Sequence, residues 1–280
     1  MSMSARSRHH RVILHLHYGA AMPVIIQVAA ELAQLLGLDL HGVYLQEAAL
    51  PELAALPFVR EFRLATGGWH RLDRDQLVRE QGSAASEARR QLDEAATALG
   101  LVRLFEVISG DPLAFIAAAS QTGDIIVVAQ PALPAERLVY ATAHLLEAVH
   151  GCAGSVMLVP RMLTRRQGAV AAVVCAESDP ALLIAARLAV AAREDLLLLV
   201  SGPPGLAREA TQRALTVGLP PQRITVRSIA DVTPEVVLQA LEGGNERLVV
   251  LARGACGADD AAVSSHIAAA RGVPVLVAEP

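Results

Sequence analysis

The chain has 280 residues, 53% of them hydrophobic, with a formal net charge of −4 and a pI near 6.1. This length and apolar content suffice for two moderate hydrophobic cores, so we expect two domains. The acidic balance, without clusters of Lys and Arg interleaved with aromatics, argues against nucleic acid as a partner.

Short apolar runs alternate with Ala- and Leu-rich segments of helical length, which predicts βαβ units and a parallel sheet covered on both faces. The strands predicted in the first half are 12–17 (VILHLH), 38–45 (LDLHGVYL), 102–108 (VRLFEVI), 124–129 (DIIVVA) and 155–160 (SVMLVP). Those in the second half are 169–176 (AVAAVVCA), 195–201 (DLLLLVS), 223–229 (RITVRSI), 247–252 (RLVVLA) and 273–278 (VPVLVA). The same series of strands therefore occurs twice, in the same order.

Helix starts are marked by a capping side chain followed by proline, which suits the first helical position. They fall at Asp111-Pro112, Asp179-Pro180 and Thr233-Pro234. The first and last of these each precede, at the same spacing, an acidic residue and an apolar strand; the acids are Asp124 and Glu246. Matched spacing of this kind predicts a duplicated domain rather than one large sheet.

The boundary between the copies is predicted at 161–168 (RMLTRRQG), a short basic linker between one domain at 1–160 and another at 169–280. The first domain carries an insertion at about 46–82, which holds three of the few aromatic residues, Phe58, Phe62 and Trp69. An insertion of this length with its own apolar residues is usually a lid or an interface. After it, 86–99 (SEARRQLDEAATAL) predicts an amphipathic helix that covers the sheet.

The cysteines and the apolar stretches bear on the compartment. Cys152, Cys175 and Cys256 are far apart and form no C-x-x-C pair, so neither a disulfide framework nor a structural zinc site is expected. The longest apolar stretches are interrupted by charges before the roughly 18 residues that a membrane span needs. We therefore expect a cytoplasmic protein with no membrane partner.

Three stretches together resemble the tandem universal stress proteins, which carry two universal stress domains in one chain. They are 106–130 (EVISGDPLAFIAAASQTGDIIVVAQ), its counterpart 227–254 (RSIADVTPEVVLQALEGGNERLVVLARG), and the terminal VPVLVA. The resemblance implies an α/β fold of two doubly wound domains, each a five-stranded parallel sheet with helices on both faces. It also implies that the domains pair through their last strands as a pseudo-dimer, and that any ligand lies at the carboxyl ends of the strands.

Members of this family that bind ATP share a glycine motif after the fourth strand, G-x2-G-x9-G-[S/T], and an Asp at the end of the first strand. Glycines let backbone N–H groups approach phosphate, and a helix N-terminus adds favourable partial charge. In the first copy His17 replaces the Asp, Pro131 and Pro134 remove N–H donors, and Thr142-Ala143 stand at the G-[S/T] position. We expect this copy to hold no triphosphate.

The second copy keeps part of the motif. Gly254 and Gly257 retain the G-x2-G spacing, but the loop that follows is short and Ala261-Ala262 replace the G-[S/T] pair. Asp259 and Asp260 bring negative charge to the place where phosphate would lie.

Two further residues complete the candidate site: Glu177 in place of the first-strand Asp, and Ser264 at a family-like position. One interpretation is an ordinary strand-to-helix turn. The other is an altered site in which Gly254, Gly257, Ser264 and Glu177 hold ATP, another adenine nucleotide or a smaller anion.

Other groups of reactive residues give weaker indications of a functional site. His15 and His17 share one face of a strand and His41 lies on the next, which suits a metal or proton-linked site; we favour individually satisfied histidines and expect no metal. Cys256 lies in the glycine turn and is interpreted as an inert thiol rather than a reactive one. No nucleophile elbow or G-K-[S/T] loop is present, and no residue is nominated as catalytic.

The sequence thus favours a regulatory or binding protein of the stress response that acts through protein contacts and does not use ATP in the family's standard way. Its insertion either packs against its own domain or joins two chains as a homodimer. One alternative is a nucleotide-binding second domain. The other, a nucleotide-using hydrolase or transferase on the same scaffold, lacks a catalytic cluster, so an enzyme is not favoured.

Overall fold

The computed structural model describes residues 10–17, 22–46, 49–63, 67–110, 121–130, 149, 151–255 and 260–279. Within them the elements of the first half are β1 (Arg11–His17), α1 (Met22–Leu36), β2 (Asp39–Gln46), α2 (Ala49–Ala55), β3 (Arg60–Arg63), β4 (Gly68–Arg71), α3 (Arg74–Leu99), β5 (Arg103–Ser109), β6 (Asp124–Ala129) and β7 (Ser155–Val159).

The second half repeats the pattern. Its elements are β8 (Val170–Val174), α4 (Pro180–Ala192), β9 (Leu196–Val200), α5 (Leu206–Thr216), β10 (Ile224–Ser228), α6 (Pro234–Ala240), β11 (Leu248–Ala252), α7 (Asp260–Arg271) and β12 (Val275–Ala278). All ten strands predicted from the apolar runs are present.

The ten strands form one continuous sheet in the order β10-β9-β8-β11-β12-β7-β6-β1-β2-β5. Neighbouring strands are parallel throughout, except that β12 and β7 are antiparallel, with Leu276 opposite Met157. The α/β fold class and the predicted pairing through the last strands are confirmed. Pairing at this seam covers two apolar edges that would otherwise be open to unwanted strand addition.

The inner strands are buried on both faces, as near-continuous apolar runs predict. Each of β7, β8, β9, β11 and β12 consists of buried residues only. One face packs against α1, α3, α4 and α5 in a large core that crosses the seam. The other face of the second half packs against α6 and α7. Of the ten strands in this sheet, the two at its edges, β5 and β10, are largely exposed.

Two of the three predicted helix starts lie within the described residues. The Asp179 side chain accepts a bond from the Ala181 N–H ahead of α4, and Thr233 accepts one from the Val236 N–H ahead of α6, each with proline in the first turn. The third start, Asp111-Pro112, lies outside the described residues.

The two acids with matched spacing lie at the amino ends of β6 and β11. Asp124 is 1% exposed and pairs with Arg11 at 3.1 Å, while Glu246 is fully buried and pairs with Arg271 at 2.6 Å. A buried carboxylate is tolerated when an opposite charge and hydrogen bonds accompany it. Their role is therefore structural, and both lie at the end of the sheet opposite the expected ligand side.

The insertion contains α2 and an antiparallel hairpin of β3 and β4, in which Phe62 faces Trp69. Phe58 precedes β3, and Phe62 lies within it. The predicted amphipathic helix over 86–99 is found, but α3 already begins at Arg74, where Asp73 caps it. Its buried residues follow helical spacing along one stripe: Gln81, Ala85, Ala88, Leu92 and Ala96.

Among the described residues, no helix has the length and apolar character needed to cross a membrane.

Candidate functional site at the carboxyl ends of the strands

The crevice where the doubly wound fold would place a ligand lies between β8 and β11. These strands are parallel neighbours, and the chain leaves β8 toward β9 on one side and β11 toward β12 on the other. In open α/β sheets, ligands bind outside the carboxyl ends of the strands at such a reversal of strand order. The turn after β8 and the turn that contains Gly254 therefore form the rim of the candidate site.

Gly254 adopts the left-handed conformation, with φ +80°, which explains why glycine stands there. Its backbone N–H donates to the Asp260 carboxylate at 2.7 Å. Asp260 is the first residue of α7, where negative charge also interacts favourably with the helix dipole. The Asp260 carboxylate therefore already accepts the hydrogen bond from the backbone N–H that a bound phosphate would need. Gly257, Asp259 and Cys256 lie outside the described residues.

The second helix start at the crevice is occupied in the same manner. Asp179 is 4% exposed, and its carboxylate accepts bonds from the N–H groups of Cys175 and Ala181, each at 2.9 Å. Burial raises the pKa of this carboxyl group, and the backbone donors act against that shift. At the N-termini of α4 and α7, the two helices that begin beside the crevice, an aspartate of the chain therefore occupies the place where an anion would bind.

Ser264 is fully buried within α7. Its hydroxyl donates to the Asp260 carbonyl at 2.5 Å and lies 3.2 Å from the Ala261 carbonyl. Hydroxyls of Ser and Thr in helices commonly bond back to the preceding turn in this way. Ser264 is therefore buried one helical turn after Asp260, the residue whose carboxylate holds the Gly254 N–H.

Glu177 does not fill the position predicted for it. Met157 lies opposite Leu276 at the seam, so their neighbours in the fourth strands, Val127 and Val250, are equivalent positions. Val127 pairs with Leu14 and Val250 with Ala172, so His17 corresponds to Cys175, two residues before Glu177. Glu177 is exposed, and its carboxyl group bonds the Glu209 carboxyl group in α5, which raises the pKa of Glu209.

Because α5 packs on β9 and β10, this contact directs Glu177 away from β11. Of the predicted set, Gly254 and Ser264 both bond to Asp260, whereas the described contact of Glu177 is to Glu209 of α5.

Cys175 lies at the rim, at the position predicted for the first-strand acid. Burial, reinforced by the charges of Asp179 and Asp231, raises the pKa of its thiol to about 11. A thiol with a raised pKa stays protonated near neutral pH and is a poor nucleophile. No cluster of three or more His, Cys, Asp or Glu side chains suited to a metal occurs in the part of the chain that the structure describes.

In the first half the residue after β6 is Gln130, which is 4% exposed. Its side-chain amide donates across the seam to the Ser265 carbonyl at 2.5 Å and to the Ser265 hydroxyl at 3.0 Å. Arg253, the residue after β11, crosses the seam in the other direction and donates to the carbonyls of Cys152 and Gly154.

Neither Gln130 nor Arg253 is among the residues predicted from the sequence. Their equivalent positions after the fourth strands are the only sequence signal that could have found them. The proline and Thr142-Ala143 positions of the first copy lie outside the described residues.

The three histidines considered together in the sequence separate into two groups. The Nε2 atom of His41 lies 3.5 Å from the Glu106 carboxylate, and its Nδ1 atom lies 3.4 Å from the Arg11 guanidinium. Burial lowers the pKa of His41, while Glu106 opposes that shift. His15 and His17 remain adjacent, with ring centroids 5.7 Å apart. His15 is 3% exposed, and among the described residues neither of its ring nitrogens has a hydrogen-bond partner, so it is not individually satisfied there.

The sequence matches no protein-family model and no curated protein. Its fold is similar to that of a universal stress protein from Archaeoglobus fulgidus, with a TM-score of 0.66 and 14% identity over 95% of this chain and 96% of the other. A putative universal stress protein of Pseudomonas aeruginosa gives 0.56 and 16%, over 98% and 95%. A functionally unknown protein of the same species gives 0.57 and 15%, over 99% and 95%. The universal stress fold thus extends over nearly the whole chain.

Proposed function

We propose that this chain is a tandem universal stress protein that serves the stress response as a binding and regulatory module, acting through protein contacts without holding ATP in the family's usual manner. The similarity in fold over nearly the whole chain supports the family. The observation that supports a function without bound ATP is the position of the Asp260 carboxylate, which lies 2.7 Å from the Gly254 nitrogen at the rim of the crevice.

The physical reason is competition for the same donors. A triphosphate in this crevice would have to displace the Asp260 carboxylate from the Gly254 N–H and then lie beside it. Two like charges about 4 Å apart near a protein surface repel by roughly 4 kcal/mol at an effective dielectric constant of about 20. The Asp179 carboxylate holds the Ala181 N–H at the start of α4 in the same way.

Calorimetry and thermal unfolding with ATP and Mg²⁺ test this reading. We expect no heat of binding and no change in the unfolding midpoint at millimolar nucleotide. Asp260→Ala frees the Gly254 N–H and removes the competing charge, and Glu235→Ala, in the first turn of α6, is the matched control.

A saturable effect of ATP on the native protein would contradict the proposal. If Glu177→Gln and Ser264→Ala then weakened that effect, the second candidate, a nucleotide-binding second domain, would replace it. ATP turnover abolished by one point substitution would revive the enzyme alternative.

The proposed protein contact is a homodimer through the insertion. The side chains of Phe58, Phe62 and Trp69 are 75%, 48% and 66% exposed, and the last two rings meet edge to face at 5.3 Å. Exposed aromatic clusters of this kind mark interaction surfaces, because burying each ring removes a large apolar area from water.

Sedimentation equilibrium at micromolar concentrations should show a dimer that dissociates in a Phe58→Ser, Trp69→Ser double variant. Met162→Ser is the control, since Met162 is 82% exposed in the linker. A native protein that stays monomeric would refute the homodimer and leave another protein as the partner of this surface.

We further propose that 1–160 and 169–280 are two domains joined by the linker 161–168, in a cytoplasmic protein. The linker supports this division, because the described residues between Val159 and Val170 contain no helix or strand. Limited trypsin digestion should cut first within the linker and leave two fragments associated through the seam. First cuts elsewhere would contradict the boundary, and cell fractionation tests the location.

A further inference from the structure

A cavity lies where the two halves meet, between α1 of the first half, α4 of the second half and the linker 161–168. Its volume is about 40 Å³, whereas one water molecule needs roughly 10–15 Å³. The cavity therefore has room for about three groups the size of a water molecule or a methylene. Ligand sites occur preferentially at such interfaces between domains. We call it the seam cavity.

The walls of the seam cavity are largely apolar, and both halves contribute to them. They include Val28 and Leu32 of α1, Met157 of β7, Leu163 of the linker, Leu188 of α4 and Leu248 of β11. All six side chains belong to the hydrophobic core that crosses the seam or pack against it, which holds the walls in place. Burial of each methylene group of a ligand between such walls strengthens binding by up to about fourfold.

Three arginines also line the seam cavity: Arg165 and Arg166 of the linker, and Arg247 just before β11. Arg247 pairs with Glu194 at 2.9 Å, and Glu31 lies 4.0 Å from it. The positive charge of Arg247 is therefore already offset by carboxylates of the chain.

The linker arginines differ from each other in their partners. Arg165 lies 3.8 Å from Glu246, whose closer partner is Arg271 at 2.6 Å. Arg166 donates to the neutral side-chain amide of Gln27 at 2.7 Å, which uses one of the five N–H donors of its guanidinium. Within the described part of the chain, no carboxylate pairs with Arg166. One positive charge at the seam cavity is thus available to a monovalent anion.

We propose that the seam cavity binds a short-chain monocarboxylate of the butyrate class, whose carboxylate pairs with Arg166 and whose alkyl chain lies against the apolar walls. Guanidinium and carboxylate form two parallel hydrogen bonds, which makes this pair strong and specific. The volume of the cavity admits about three carbon atoms beyond the carboxylate and excludes a nucleotide or a phospholipid. This site adds to the proposed function and does not depend on it.

Calorimetric titration of the full chain with acetate, butyrate, hexanoate and octanoate tests the size and the charge of the site. We expect one equivalent of butyrate to bind, more than about tenfold tighter than acetate because two further methylenes are buried. Affinity should then stay level up to octanoate, since the additional methylenes lie outside the cavity. 1-Butanol, which cannot pair with Arg166, should bind at least about tenfold more weakly than butyrate.

Two variants test the two halves of the proposed contact. Arg166→Gln removes the charge of a linker side chain and should weaken butyrate binding by at least about tenfold while leaving that of 1-butanol unchanged. Val28→Phe fills the cavity and should abolish binding of both. Arg208→Gln, which removes an exposed arginine of α5, is the matched control and should bind as the native chain does.

Several results would overturn the proposal. They are no binding at millimolar butyrate, equal affinities for acetate and butyrate, which indicate an adventitious anion only, and an affinity that rises steadily to octanoate, which indicates adsorption to exposed apolar surface. Unchanged butyrate affinity of Arg166→Gln would overturn it as well. If Val28→Phe fails to fold, the chain-length series and Arg166→Gln decide the matter without it.

Discussion

Replacing His15 by Val should remove a defined part of the acid sensitivity of this protein. Val is the residue at the equivalent register of the second half, so strand β8 already accommodates it in a fully buried place. The substitution deletes two buried ring nitrogens that have no partner. We therefore expect the variant to be at least as stable as the native chain at pH 7.

The pH dependence follows from the lowered pKa of His15, about 3 in the folded protein against 6.5 for an ordinary histidine. Between these values the unfolded chain binds a proton that the folded chain does not. The free energy of unfolding is therefore unaffected above pH 6.5 and falls as the pH drops toward 3. Each pH unit is equivalent to about 1.36 kcal/mol, so the native chain should lose about 2 kcal/mol between pH 7 and pH 5 through this residue alone.

Urea unfolding at pH 7, 6 and 5 measures the effect. The loss of unfolding free energy on acidification should be about 2 kcal/mol smaller in His15→Val than in the native chain. His266→Ala, which removes an exposed histidine, should follow the native curve. Parallel curves for His15→Val and the native chain would refute the burial of a neutral imidazole at this position.

Two further predictions concern stability at neutral pH. Gly168→Ala should lower the free energy of unfolding, measured with urea, by about 3 kcal/mol. The reason is that φ of Gly168 is +135° and an added Cβ would lie 1.8 Å from the Asn245 carbonyl oxygen. A decrease of less than about 1 kcal/mol would contradict this close approach. Gly82→Ala is its control, since Gly82 lies within α3 with open space around it, and should stabilise by about 1 kcal/mol. Arg271→Leu removes the ion-pair partner that lies 2.6 Å from the fully buried Glu246 carboxylate, and it should lower the free energy of unfolding by about 3 kcal/mol in the same measurement. An unchanged urea midpoint would mean that this ion pair does not stabilise Glu246.

The strands and two helix starts were predictable because their causes are local. Runs such as DLLLLVS and RLVVLA read as buried parallel strands on apolar content alone, and Asp179-Pro180 and Thr233-Pro234 satisfy the first turn of the helix that follows them. The repeated order of strands then predicted the duplication, and the resemblance to the tandem universal stress proteins implied the pairing of the last strands.

The site was less predictable, because its contacts join residues that are distant in sequence. The negative charge of Asp260 was visible near Gly254, but its bond to the Gly254 N–H was not. Glu177 was assigned by counting along the chain, whereas the pairing registers place Cys175 at that position. The bond from Gln130 to Ser265 joins the two halves across 135 positions and leaves no local pattern.

The sequence by itself determined the α/β class, the doubled series of strands and the loss of the full glycine motif, because hydrophobic periodicity, capping chemistry and residue identity are properties of short segments. Only the tertiary structure decided which groups are already paired and which are not. It gave Asp260 the Gly254 donor and left the His15 ring without a hydrogen-bond partner in the part of the chain that the structure describes, since the burial and bonding of a side chain depend on every segment packed around it.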